Sequence, residues 1–348
     1  MGARIALALA LGLSATMASA APKPPTRLFA DDAPIRIILR GPISAIVSTP
    51  ADLRTARPAS LELTEPAAET LPILLSPRGR TRRQKQRCGF PPLRVELPTK
   101  PAKTSLFERQ KRLKLVTHCR TAAQHQQHVL LEYAVYRLFG AISPTGLRAR
   151  LATVDYVEQD GKVVTSRLGF FVEDADDAAG RSDLKEATVG GRVPSTQLDP
   201  SAAARAALFQ YMIGNTDWSM RLGPAGETCC HNFRLMGPAG AQSGLIPVPF
   251  DFDSSGLVNA PYAAPAEQLG LSSVRDRHYR GYCVHNAQAI AVAAEFRAKR
   301  PQILAALDGI PQLDEGRRRG AASYLEGFFR DIATDEDVRK RVLKTCMN

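Results

Sequence analysis

The sequence has few aromatic residues and no long apolar run beyond its first twenty residues. Only 6% of its 348 residues are aromatic, and one of them is tryptophan. After residue 20 no stretch approaches the roughly 18 consecutive apolar residues of a membrane-spanning helix, so we predict no transmembrane segment there. The hydrophobic fraction, 44%, is nevertheless too high for a disordered chain.

Several catalytic sequence signatures are also missing. The chain contains no G-x-S-x-G nucleophile elbow, no H-E-x-x-H zinc motif and no Walker A phosphate loop. These absences leave little support for a serine hydrolase, a zinc peptidase or a P-loop enzyme.

The first twenty residues have the pattern of a secretory signal. One arginine precedes the apolar run from Ile5 to Leu13, and the segment ends in the small residues Ala18-Ser19-Ala20. We therefore predict residues 1–20 to be a signal peptide that is cut after Ala20, and the mature protein to be secreted or periplasmic. Residues 21–34, rich in Ala, Pro and Asp, are predicted to form a flexible lead.

Export to an oxidising compartment makes disulfides the default state of the cysteines. Six are present, at positions 88, 119, 229, 230, 283 and 346, and six cysteines allow fifteen pairings. We expect the adjacent Cys229 and Cys230 to pair with Cys283 and Cys346 rather than with each other. The third disulfide would then join the cysteines at positions 88 and 119.

A second interpretation of Cys119 is a zinc site. It lies close in sequence to His118, His125 and His128, and the spacing of His125 and His128 fits one helix face. For an exported chain the disulfide is the favoured prediction.

Hydrophobic periodicity divides the chain into two regions. Residues 35–172 contain several short β-favouring runs and one long helix that ends near Gly140. Residues 173–348 are predicted to be mainly helical, with a helix that opens at Asp199-Pro200 and short strands at 232–236 and 245–252. This order predicts an α+β fold of two lobes.

An acidic pair stands in an apolar segment of the second region. Asp251 and Asp253 are separated by Phe252, so they are expected to lie on the same face of a predicted strand. Because burial of unpaired carboxylates is costly, the pair suggests a cation, and Mg²⁺ suits a site with few protein carboxylates. The alternative is that one aspartate caps a turn near residues 254–256.

Two further polar residues precede this pair in the order that phosphoryl transfer uses. Asp217 follows an apolar helix, and Asn232 precedes a short strand. A carboxylate that orients a hydroxyl, followed by an Asn and an Asp that hold metal, is the set found in kinases. Asp217 alone could equally be a turn residue at the helix end.

A strongly basic segment lies at residues 78–87, where six of ten residues are Arg or Lys. Such a run attracts anions. The alternative is a solvated basic loop. Few aromatic residues are interleaved with it, so we do not predict nucleic-acid binding.

With these segments in order, the chain resembles the spore-coat protein H (CotH) kinase-like family over roughly residues 70–260. The segments are Arg78-Gly79-Arg80, Leu93–Leu97, Leu113–Thr117, the helix with Glu132, Gly169–Glu173, Gly214–Trp218, His231-Asn232 and Asp251-Phe252-Asp253. The resemblance implies a two-lobed protein-kinase-like fold, with a β-rich N-lobe (35–172) and a mainly helical C-lobe (173–348).

The resemblance also implies roles on the nucleotide side. Lys114 would contact the ATP phosphates and Glu132 would form an ion pair with it, as in kinases. Glu173 would mark the segment that meets adenine. The segment with Arg78 and Arg80 takes the place of the glycine-rich loop over the phosphates.

On the catalytic side, the resemblance implies that Asp217 is the catalytic carboxylate. Asn232 and Asp251 would be Mg²⁺ ligands, with Asp253 assisting. The leading hypothesis is an exported ATP- and Mg²⁺-dependent phosphotransferase that acts on a protein or another extracytoplasmic hydroxyl. The alternatives are a catalytically inactive binding or structural protein of the cell envelope and, more weakly, an adhesin that uses the basic loop.

Overall fold

Seven strands close into one barrel in this computed structural model, which describes residues 22–348. The signal-peptide prediction lies outside the described residues. In chain order the strands are β1 (Ile35–Arg40), β2 (Arg57–Glu65), β3 (Glu69–Pro77), β4 (Leu93–Glu96), β5 (Arg112–Val116), β6 (Ala149–Val157), β7 (Val163–Val172), β8 (Lys185–Glu186), β9 (Phe233–Gly237) and β10 (Ile246–Pro249). The helices are α1 (Ile43–Val47), α2 (Gln124–Ile142), α3 (Ala175–Gly180), α4 (Pro200–Ile213), α5 (Asn286–Ala298), α6 (Arg300–Ala305), α7 (Glu315–Asp331) and α8 (Asp335–Asp337).

The barrel runs in the order β1-β2-β3-β4-β5-β7-β6 and closes by pairing β6 with β1. That closing pair is parallel, from Ile35 opposite Ala152 to Arg40 opposite Val157, whereas the other neighbours in the barrel are antiparallel. Along β1 buried residues alternate with more exposed ones, as expected for a strand with one face in a core. The remaining strands, β8, β9 and β10, form a separate antiparallel sheet.

The expected two-lobed protein-kinase-like fold is therefore wrong. An N-lobe built on an open sheet would leave β1 with a free edge, but all six residues of β1 pair with β6 and remove that edge. The long helix α2 also departs from the expectation, because its buried residues join the core of the helical half. Parallel pairing between segments more than a hundred residues apart leaves no local signal in either strand.

Most individual elements agree with the sequence patterns. Helix α4 begins as predicted, since the Asp199 side chain accepts a hydrogen bond from Ala202 N and caps the helix. One of the short β-favouring runs expected in residues 35–172, Ser44–Val47, is not a strand: this segment belongs to helix α1. Its apolar residues Ile43 and Ile46 are buried at helical spacing.

Two apolar clusters form the core. One fills the barrel with residues of its strands, and the other joins α2 to the helices and the small sheet of the second half. Among residues 22–348, no helix combines the length and apolar character needed to cross a membrane.

Three disulfides pair all six cysteines. The bond between Cys88 and Cys119 confirms one prediction. The other two are corrections, because Cys229 bonds to its neighbour Cys230, and Cys283 bonds to Cys346. The fold holds the 283 and 346 segments side by side through backbone hydrogen bonds from Cys283 N to Met347 O and from Met347 N to Gly281 O, both 2.8 Å. Three disulfides are characteristic of proteins in oxidising compartments.

Disulfide removal should affect stability according to loop length. Cys88–Cys119 spans 31 residues, and a loop of that size restricts the unfolded chain by about 3–4 kcal/mol. We expect the Cys88→Ser/Cys119→Ser protein to lose a large part of that free energy of unfolding in chemical denaturation. The matched variant Cys229→Ser/Cys230→Ser opens almost no loop and should lose much less. Equal losses would contradict this account.

A buried histidine should make stability depend on pH. His118 is fully buried against Phe90, and neither ring nitrogen has a hydrogen-bond partner in the described structure. Burial, with a smaller effect of Arg167, lowers the pKa of His118 to about 3. The unfolded chain therefore binds more protons below about pH 6.5, and the free energy of unfolding should fall as pH drops from there toward 3.

The variant His118→Leu should remove this pH-dependent contribution to the free energy of unfolding. Its slope is at most roughly 1.4 kcal/mol per pH unit, measurable by denaturation at several pH values. His125→Leu, at a partly exposed ring, should retain most of the slope. An unchanged slope in His118→Leu would show that the ring is not the titrating group.

Candidate functional site

Pairing of β9 with β10 brings two of the predicted metal ligands together. Phe233, at the start of β9, lies opposite Pro249, at the end of β10. The residues just outside the pair are Asn232 and Phe250, joined by a 3.0 Å hydrogen bond from Phe250 N to Asn232 O. Asn232 and Asp251 both have positive φ values, 55° and 63°, which Asn and Asp tolerate better than most residues.

The Asp217 loop begins where α4 ends. Gly214 ends this helix with a φ of 65°, in the left-handed conformation that favours glycine. Arg280 then fixes the backbone on both sides of Asp217, since its Nη1 donates to Thr216 O and, at 2.8 Å, to Trp218 O. Arg280 therefore fixes the backbone of the Asp217 loop independently of the contacts of the Asp217 side chain.

The Asp217 side chain accepts hydrogen bonds from two neighbours. His231 Nε2 donates to Oδ1 at 2.7 Å, and Asn232 Nδ2 lies 3.3 Å from Oδ2 and 2.7 Å from the Asp217 backbone oxygen. Because the Asn232 amide nitrogen is directed at Asp217, its amide oxygen is left as an acceptor. Asp217 remains half-exposed, with 46% of its side chain accessible.

These residues line one cleft with a volume of about 320 Å³. Its walls include all three predicted metal ligands and the predicted catalytic aspartate. The disulfide between Cys229 and Cys230 forms part of the wall beside His231. The basic segment also contributes, through Arg78, Gly79, Arg80, Thr81 and Arg82.

Asp251 and Asp253 have different surroundings. The Asp251 backbone N donates to the Tyr136 hydroxyl of α2 at 3.0 Å, but its carboxylate has no hydrogen bond or ion pair among the described residues. Asp253 is buried, with 8% exposed, and its carboxylate lies 3.8 Å from Arg82 Nη1. Asp251 is therefore the carboxylate available to a ligand.

Arg82 organises the floor of the cleft. It is 6% exposed, its Nη1 lies 3.8 Å from Glu132 and from Asp253, and its Nη2 donates to Thr117 O at 2.5 Å. Its guanidinium also lies over the ring of Tyr262, 5.7 Å from the centroid. The expected ion pair between Lys114 and Glu132 is absent among the described ion pairs, because Glu132 faces Arg82 instead.

Carboxyl groups are crowded at this floor. Burial and the neighbouring Asp251 carboxylate raise the pKa of Asp253 to about 6. Burial and Asp253 also raise the pKa of Glu132 well above its usual range, although Arg82 opposes this. One buried arginine thus faces three nearby carboxyl groups, which leaves the site receptive to another cation.

Lys114 lies behind the cleft wall. Its Nζ is 4.1 Å from the centroid of the Phe250 ring. Burial, followed by the charges of Arg78 and Arg234, lowers the pKa of Lys114 to about 7, and Asp251 opposes this effect. The lysine is thus within electrostatic reach of Asp251, whereas its expected contact with the ATP phosphates stays a prediction.

Glu173 does not line the cleft. Its carboxylate accepts two 2.9 Å hydrogen bonds from Arg181 and one from Arg148 N at 2.9 Å, and its side chain is fully buried. Glu173 therefore has a structural role, because these contacts connect the end of β7 to α3.

The residues at the cleft fit a magnesium ion with limited protein coordination. Among residues 22–348 no group of three or more His, Cys, Asp or Glu residues is arranged to hold a metal. The donors here are the free Asp251 carboxylate, the Asn232 amide oxygen and Asp253. Mg²⁺ accepts such a set because it retains several waters and takes further oxygens from substrate phosphates.

Sequence reasoning missed three residues of this site. Arg82 was one arginine in a basic run, and nothing in its neighbours distinguishes it from Arg80. Tyr136 lies one turn after Glu132, but a tyrosine in the apolar pattern of α2 gives no signal of a role at the site. His231 was noted beside Asn232 without a role, yet it contacts Asp217 directly.

Comparison with known proteins does not place this chain in a family: no protein-family model matches it, and no curated protein matches it. The resemblance to the CotH family stays a prediction.

Removal of Arg82 should destabilise the fold strongly. Loss of one partner from a buried ionic cluster typically costs about 3–5 kcal/mol, so Arg82→Met should lower the free energy of unfolding by that order. The variant Arg82→Met/Glu132→Gln should recover part of the loss, because it removes one of the carboxylates left unpaired. Both are measured by chemical denaturation.

Arg80→Met provides the matched control. Arg80 pairs with Glu227 at a half-exposed position, where such pairs contribute about 0–1 kcal/mol. Similar losses for Arg82→Met and Arg80→Met would contradict a special role of Arg82.

Proposed function

We propose that the cleft binds a nucleoside triphosphate with Mg²⁺ and transfers the terminal phosphoryl group to a hydroxyl of an extracytoplasmic protein or another acceptor. The observation that carries the proposal is that Asp217, Asn232 and Asp251 line one cleft together with Arg78 and Arg80. A carboxylate, an amide and a second carboxylate beside fixed cations are the groups that phosphoryl transfer uses.

In this proposal each residue has a defined task. Asp217 orients the acceptor hydroxyl and receives its proton while the hydroxyl oxygen forms a bond to the terminal phosphorus. The bond between that phosphorus and its bridging oxygen breaks, and the nucleoside diphosphate leaves with the electron pair. Arg78 and Lys114 lower the energy of the negative charge on the phosphates.

Asn232 and Asp251 would hold Mg²⁺, with Asp253 beside them. A bound Mg²⁺ supplies positive charge to the phosphate oxygens. His231 and Asn232 position Asp217 through the hydrogen bonds at 2.7 and 3.3 Å. The scaffold that presents these groups is the closed barrel with its helical half, not a kinase lobe pair.

Asp251→Asn should abolish transfer while it preserves the fold. The purified mature protein, incubated with γ-labelled ATP and Mg²⁺, should label itself or an added protein acceptor. Loss of one charged ligand at the reacting phosphates should reduce labelling by about 100-fold or more. Asp308→Asn removes an exposed carboxylate that has no hydrogen bond or ion pair among residues 22–348, and this variant should label as the wild type does. Equal labelling by Asp251→Asn would exclude catalysis by this site.

A second candidate is a non-catalytic binding protein of the cell envelope. It is favoured by the contacts of Asp217, whose two carboxylate oxygens already face donors from His231 and Asn232. An acceptor hydroxyl must compete with these donors. In this case nucleotide with Mg²⁺ should still raise the thermal unfolding midpoint, because a ligand selective for the folded state stabilises it, but no labelling should occur.

A further inference from the structure

Positive charge lines the cleft well beyond the metal ligands. Arg78, Arg80 and Arg234 are part of its wall, and Lys114 lies behind Phe250. Arg78 has no ion-pair partner among the described residues, and Arg234 pairs with Glu186 at 3.3 Å. Cations spread along a wall suit a ligand with several successive anionic groups, and guanidinium groups suit phosphate in particular.

The aromatic rings of Phe250 and Tyr262, which line the cleft, each already have a cationic side chain near the ring. Phe250 has Lys114 Nζ at 4.1 Å and Arg234 Cζ at 5.4 Å from its centroid. Tyr262 has Arg82 Cζ at 5.7 Å from its centroid. A nucleobase gains affinity by stacking on an open aromatic face, and here it would have to displace a cation from either ring.

The cleft itself leaves little room for a base beside the phosphate-binding groups. The cleft volume, about 320 Å³, is at the lower end of the roughly 300–1,000 Å³ typical of ligand pockets. Glu173, the residue expected beside adenine, is closed off by Arg181 and lies outside the cleft walls.

One further contact bears on affinity for anions. Arg80 and Glu227 form an ion pair, and both are about half-exposed residues of the cleft wall. The Glu227 carboxylate binds the Arg80 guanidinium, to which a phosphate of the ligand would also bind. An anionic ligand must therefore compete with Glu227 for Arg80.

From these contacts we infer that the cleft recognises the polyphosphate chain of its ligand and not the base. ATP, GTP and inorganic tripolyphosphate are then ligands of similar affinity. This inference rests on the proposed function, because it takes the cleft to be the donor site, and it narrows the donor to a class defined by linked phosphates.

Isothermal titration of the mature protein with Mg²⁺ tests the inference. We expect the dissociation constants of ATP, GTP and tripolyphosphate to agree within about threefold, and adenosine not to bind, because charge-assisted contacts to phosphate dominate. ATP binding tenfold or more tighter than both others would overturn the inference while it leaves the proposed function intact. If none of the three binds, the proposed function itself fails, and the inference falls with it.

Variants locate the binding in this cleft. Arg234→Gln should weaken all three ligands alike, by about tenfold, and Glu227→Gln should strengthen all three, since it frees Arg80. The control Arg36→Gln removes an arginine that pairs with Asp155 on the barrel and should bind as the wild type does. If Arg36→Gln weakens binding as much as Arg234→Gln, the anions bind diffusely and the inference is wrong. Circular dichroism verifies that each variant is folded.

Discussion

The buried guanidinium of Arg82 is the interaction on which the cleft depends. It joins three parts of the chain that are far apart in sequence: the basic segment, helix α2 through Glu132, and the segment after β10 through Asp253. A buried carboxylate without a cation is unfavourable by several kcal/mol, so Glu132 and Asp253 can be buried side by side only because Arg82 lies between them. Its hydrogen bond to Thr117 O attaches the same group to the barrel.

Other contacts act on the same framework. The disulfide between Cys88 and Cys119 anchors the end of the basic segment next to the strand that carries Lys114. The Tyr136 hydroxyl, one turn beyond Glu132, accepts the backbone N–H of Asp251. Helix α2 therefore supports both aspartates after β10, Asp251 through Tyr136 and Asp253 through Glu132 and Arg82. Among residues 22–348 the Asp251 carboxylate has no hydrogen bond or ion pair, so it is available to a ligand.

Local patterns allowed much of this molecule to be predicted. The cap at Asp199, the end of α4 at Gly214 and the two strands before the acidic pair are encoded within a few residues of sequence. The grouping of Asp217, Asn232 and Asp251 was expected from their order, and they do line one cleft. The pairing of Glu132 was not predictable in the same way: the expected partner was Lys114, and only packing brings Arg82, one of six basic residues in its segment, to the helix.

The sequence by itself determined most of the elements and the acidic and basic groups, because each follows from local composition or spacing. The Cys88–Cys119 disulfide was expected only by elimination, from two other pairings that the structure corrects. The tertiary structure alone decided that β1 pairs with β6 and closes a barrel, that Cys229 bonds to Cys230, and that Arg82 is buried while Arg80 is exposed. The closure of the barrel and the burial of Arg82 depend on contacts between segments tens to more than a hundred residues apart. The burial of Arg82 also depends on which of several similar arginines the fold places beside the buried carboxyl groups. No residue pattern along the chain records that choice.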